Sequence, residues 1–75
     1  MQKNQTNHVE IVVNGEPREV PAGLTVATLL AHLGVDGGRV AVELNREIVR
    51  KTAWADAPVE AGARIEIVQF VGGGL

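Results

Sequence analysis

The chain has 75 residues, 45% apolar and 21% charged, enough for one small folded domain and too few for two. Seven basic against nine acidic residues give a net charge of −2, which argues against a broad basic footprint for nucleic acid. The chain has no cysteine, so disulfides, thiolate zinc sites and a cysteine nucleophile are excluded together; no apolar run approaches the ~20 residues of a membrane helix.

Met1 to His8 reads as a disordered polar lead-in with no apolar segment, unlike a signal peptide, which makes the cytoplasm the expected compartment. From Val9 the pattern alternates, with Val9, Ile11 and Val13 on one face of a strand and Glu10 and Val12 on the other. Asn14-Gly15 is a strong hairpin signal, because a type I′ turn needs positive φ at both central positions. Pro17 to Val20 forms the return strand, and Pro17, lacking an N–H for the ladder, places it at a sheet edge. Pro21-Ala22-Gly23 ends it. Thr25 then caps a helix whose apolar stripe is Val26, Leu29, Leu30 and Leu33, with Gly34 as its C-terminal cap. Such a short helix is marginal alone and has to pack on a sheet.

After the link Val35 to Gly38, Arg39 to Leu44 alternates with Val40, Val42 and Leu44 inward. Asn45-Arg46 is a turn, Glu47 to Arg50 a short return strand, Lys51 to Val59 irregular or one helical turn, and Arg64 to Val71 the last strand. The order strand, strand, helix, strand, strand, strand predicts an α+β domain over residues 9–71, a sheet of four to five strands packed on one helix. Without a covalent staple its stability is expected to be only about 3–5 kcal/mol.

The last strand breaks the expected polarity of the uncovered face. Ile65 and Ile67 take the inward parity, so Val68 and Phe70 fall with Glu66 on the outer face, with Val12, unless a bulge resets the register. Val12, Val68 and Phe70 are therefore a candidate apolar docking patch.

Few residues carry chemistry. A chain this short leaves little volume for an enzyme pocket, and its carboxylates are scattered singly. His8 and His32 lie far apart, with no metal-ligand spacing around them. Gly34 to Gly38 follows a helix and precedes a strand, the reverse of a phosphate cradle, so a cap and loop is the reading. Arg46, Arg50 and Lys51 read as a solvated turn, and Trp54 as a lid on the core. The end is different: the last strand runs straight into Gly72-Gly73-Gly74. Glycines lose most entropy on ordering, so this tail is expected to be disordered when free. Without side chains it fits a narrow channel, where it can deliver a carboxylate, ionised at neutral pH.

Asn14-Gly15, Thr25-Val26 with Leu29-Leu30, the run Val42-Glu43-Leu44-Asn45, Ile48-Val49, Trp54, and the end Ile65 to Gly74 together resemble the thiamine-biosynthesis sulfur-carrier proteins, over Val9 to Gly74. The resemblance implies a ubiquitin-like β-grasp fold, a monomer when free, and a carrier rather than an enzyme. It implies that an E1-like adenylating enzyme uses MgATP to activate the C-terminal glycine, Gly74. Sulfur from a cysteine-derived persulfide then converts the activated group to a thiocarboxylate, which thiazole synthase takes up. Gly72, Gly73 and Gly74 would be threaded into the partners, and no cofactor is expected on this chain itself.

Two features depart from the family pattern. Leu75 follows Gly74, so the carboxylate stands on leucine; either a peptidase removes it or it is left by a C-terminal tag, the second being the expectation. Met1 to His8 extends beyond the usual start. Two other readings stand beside this one: a sulfur carrier of another pathway, which shares the tail chemistry (the small subunit of molybdopterin synthase, or cysteine or methionine synthesis), and, from a different class, a ubiquitin-like module that binds partners non-covalently or is conjugated to lysines.

Overall fold

A computed structural model describes residues 7–70. The elements are β1 (His8–Val13), β2 (Glu16–Pro21), α1 (Val26–Leu33), β3 (Val40–Leu44), β4 (Glu47–Val49) and β5 (Arg64–Gln69), with 3-10 helices at Gly37–Arg39 and Lys51–Asp56. They build one five-stranded sheet in the order β2-β1-β5-β3-β4. The first and last strands are parallel neighbours at its centre, and the other pairs are antiparallel. This is the β-grasp arrangement: a mixed sheet holding one helix. No helix among the described residues is long and apolar enough to cross a membrane.

Local chemistry accounts for most of the boundaries. Asn14 and Gly15 have φ of 50° and 83°, as a type I′ turn requires. β2 starts before its proline, with Pro17 opposite Val12, and keeps Pro21 as its last residue. As the outermost strand it leaves one edge of its backbone unpaired, so the missing N–H costs nothing there. Strand β1 begins at His8, one residue earlier than Val9, and the Asn7 carbonyl accepts a hydrogen bond from Ala22 N–H at 2.9 Å. The rest of the expected lead-in lies outside the described residues.

Helix α1 opens on a capping box in which Thr25 N–H donates to Thr28 Oγ1 at 2.7 Å and Thr28 N–H to Thr25 Oγ1 at 3.3 Å. Gly34 closes it in the left-handed region, its N–H donating to Ala31 O at 3.1 Å. The buried face is Val26, Leu29 and Leu30, with Leu33 half-buried at the end of the stripe. It meets Ile11, Val13, Val20, Val40, Val42 and Ile65 of the sheet, all buried.

The segment between β4 and β5 closes the core. Trp54 is buried, and its indole N–H donates to Val49 O at 2.8 Å, satisfying its one polar group. Val59 and Ala63 are buried as well. Gly37 lies directly against the indole: a Cβ there would sit 2.9 Å from Trp54 Cζ3. Gly37→Ala is therefore expected to destabilise the domain by about 1–3 kcal/mol through overpacking, read as a lower denaturation midpoint.

Candidate functional site

The outer face of the sheet, opposite α1, is set by register. Strand β3 pairs with β5 without interruption from Val40↔Gln69 to Leu44↔Ile65. No bulge intervenes, so Val68 stays on the outer face opposite Ala41, and Glu66 opposite Glu43. Phe70 follows on the same side, its N–H donating to the carbonyl of Arg39, the residue just before β3, at 2.8 Å. Val68 and Phe70 are each 57% exposed.

A third large apolar side chain belongs beside them. Ile48 is 75% exposed and pairs with Glu43, one step diagonally from Ala41. The apolar stripe thus runs from Phe70 and Val68 over the half-buried Ala41 to Ile48, crossing β5, β3 and β4. Val12 lies elsewhere: it is half-buried and faces Pro17 on one side and Arg64 on the other, with Glu66 between Arg64 and Val68 along β5. The structure therefore does not bring Val12 together with Val68 and Phe70. A three-residue strand is too short for alternation to establish from sequence which side Ile48 faces.

Two asparagines hold β5 by its backbone. At its start, Asn45 N–H donates to Arg64 O at 2.7 Å, and Asn45 Oδ1 accepts from Arg64 N–H at 2.9 Å. Toward its other end, Asn14 N–H donates to Ile65 O at 2.8 Å, Asn14 Oδ1 accepts from Ile67 N–H at 2.7 Å, and Asn14 Nδ2 donates to Ile67 O at 3.3 Å. Because β1 and β5 are parallel, Asn14 sits at the end of the sheet from which the chain continues toward Gly72, Gly73 and Gly74. These three glycines and Leu75 lie outside the described residues.

The remaining polar groups are dispersed. His8 and His32 are both exposed, one at the start of β1 and one in the last turn of α1. Among the described residues no group of three His, Asp or Glu side chains could hold a metal ion. Arg46, Arg50 and Lys51 are exposed, with the Lys51 ammonium 6.0 Å from the Trp54 ring centroid. A cleft of about 450 Å³ near Asn14 has Arg18 and Asp36 as its charged lining, and an apolar groove of about 290 Å³ near Val9 has only Glu60. Neither gathers the acid, base and nucleophile that catalysis requires.

The model of the ThiS family matches residues 11–74, nearly the whole fold and the glycine run together. The chain belongs to the ThiS family. A crystal structure of the thiamine biosynthesis protein ThiS from Geobacter metallireducens is 36% identical, covering 88% of this chain and 100% of that one with a TM-score of 0.77. The sulfur carrier protein ThiS of Escherichia coli is 32% identical over 66 residues, 88% of this chain and all of that protein. A thiazole synthase of Paramagnetospirillum magneticum is 50% identical over 66 residues. This ThiS-family chain spans only 20% of the length of that synthase.

Proposed function

We propose that the chain carries sulfur as a thiocarboxylate on Gly74 and passes it to thiazole synthase. The observation that carries this reading is the family match running unbroken from the sheet into Gly72–Gly74. In the proposed sequence the Gly74 carboxylate attacks the α-phosphorus of MgATP on an E1-like adenylating enzyme, forming an acyl adenylate and releasing pyrophosphate. A cysteine-derived persulfide displaces AMP to give an acyl disulfide. A thiol then cleaves its S–S bond, leaving the thiocarboxylate and a mixed disulfide. The protein's contribution is a stable handle and a reactive end: the sulfur stays covalently attached between enzymes, and the acid–base chemistry and the magnesium belong to the partners. In this reading the chain is a protein substrate, not an enzyme, and the reactive form is the one that ends at Gly74.

Thiazole synthase as the acceptor is supported by two relatives of that name, 50% and 38% identical to this chain over 66 residues, each carrying the matched segment as 20% of its length. A carrier segment within a synthase chain is what a direct hand-over between the two would favour. Docking falls to the outer sheet face, where Val68 and Phe70 expose apolar surface along the strand that leads to the glycines and Ile48 does so on β4, two strands away.

The test is ATP–pyrophosphate exchange with an E1-like adenylating enzyme that accepts ThiS proteins. Exchange is expected only when the chain ending at Gly74 is present, and is expected to vanish when Gly73 and Gly74 are removed. Exchange that survives their removal would contradict the assignment.

A further inference from the structure

We propose that Asn14 is a positioning residue for the transfer: its carboxamide grips β5 at Ile67 and thereby holds in order the end of the strand that the adenylating enzyme must engage. The proposal rests on the sulfur-carrier reading above.

The odd-numbered residues at this end of β5 turn their N–H and C=O groups toward β1, and the even-numbered ones toward β3. Ile65 O accepts from Asn14 N–H on one side, and Phe70 N–H donates to Arg39 O on the other. The β1 ladder ends at Val13↔Ile65, because Asn14 and Gly15 turn the chain into β2. The Asn14 side chain then takes the place of the next β1 residue. It bonds both backbone groups of Ile67, at 2.7 and 3.3 Å, across 53 positions of sequence. The strand that leads to the glycines is thus held one step further along than the backbone of β1 can reach.

The turn itself does not need this carboxamide. Glycine adopts the same positive φ with less strain, so Asn14→Gly keeps the hairpin and removes only the grip. The bonds are solvent-exposed and contribute modestly to global stability. Their local effect is larger: a strand end held on one edge frays more readily than one held on both. Ordering a frayed strand end upon docking weakens binding of the carrier, whereas the bound, activated state is unchanged. The loss therefore belongs in KM and not in kcat. Asn45 is the matched control, since its carboxamide makes a comparable bond from a comparable turn, but at the start of β5.

The experiment compares chains ending at Gly74: wild type, Asn14→Gly, Asn14→Asp and Asn45→Gly. Amide hydrogen exchange at Ile67 is read without any partner, and KM and kcat for the carrier are read in ATP–pyrophosphate exchange with the adenylating enzyme. Asn14→Gly should accelerate Ile67 exchange about tenfold or more. It should raise KM about five- to tenfold with kcat unchanged, in line with the loss of about one net hydrogen bond. Asn14→Asp keeps the acceptor for Ile67 N–H and should fall between wild type and Asn14→Gly, while Asn45→Gly should match wild type in both readouts. Unchanged Ile67 exchange in Asn14→Gly, an unchanged KM, or an equal rise in KM for Asn45→Gly would overturn the proposal. A wild-type chain with a protected Ile67 that supports no ATP–pyrophosphate exchange would instead overturn the carrier reading, and with it any role of Asn14 in transfer.

Discussion

Leu29→Ala is expected to leave a large fraction of the chain unfolded at 25 °C. Leu29 is fully buried and central to the only α-helix among the described residues, the element that covers the inner face of the sheet. Truncating a buried leucine costs about 3–5 kcal/mol through lost transfer energy and a cavity that relaxes only partly. A cysteine-free domain of this size holds about 3–5 kcal/mol in total, so one substitution removes most of it. Circular dichroism during urea denaturation reads this directly. A folded baseline in Leu29→Ala with a midpoint near that of wild type would mean that the helix is not the keystone of the core.

Phe70→Ser is expected to lower activation by the adenylating enzyme about tenfold or more, as the loss of an aromatic anchor does at an interface. Its ring is 57% exposed, so the cost to folding should stay within about 1 kcal/mol. Ile48→Ser should act in the same direction, and Val12→Ser much less. The contrast tests the geometry as well as the role, because Ile48 shares the stripe with Phe70 and Val12 is separated from it by Arg64 and Glu66. Kinetics of ATP–pyrophosphate exchange give the effect on activation, and thermal melting gives the effect on the fold. A Val12→Ser loss as large as that of Phe70→Ser would redraw the docking face across β1 and β5, and an unfolded Phe70→Ser would place the ring in the core.

The local code of this chain is easy to read where one interaction decides the outcome. The i, i+3, i+4 spacing of Val26, Leu29 and Leu30 marks the buried face of α1, Thr25 and Gly34 mark its ends, and Asn14-Gly15 marks the first turn. Parity along β5 is enough to put Val68 and Phe70 outside, where both are exposed. Non-local pairing is less legible. Alternation tells which side of a strand a residue takes, but not which residue of a distant strand lies beside it. Parity alone groups Val12 with Phe70, and the parallel register of β1 on β5 shows that they stand apart. Between β4 and β5 the pattern has no period, because burial there is imposed by tertiary contacts. Val59 is held by its N–H donating to Leu24 O at 2.8 Å, and Ala63 by its carbonyl accepting from Val12 N–H at 2.9 Å. The grip of Asn14 on Ile67 is of the same kind: the residue is visible as a turn former, and its second partner, 53 positions away, is not.

Intact mass spectrometry of the chain ending at Gly74 tests the central claim most directly. After incubation with MgATP, the adenylating enzyme, a persulfide donor and a thiol, the mass should rise by about 16 Da, the replacement of one acyl oxygen by sulfur through an activated acyl intermediate. The same mixture without ATP should leave it unchanged. No gain in the complete mixture, with ATP consumed, would contradict the assignment of Gly74 as the sulfur-bearing residue.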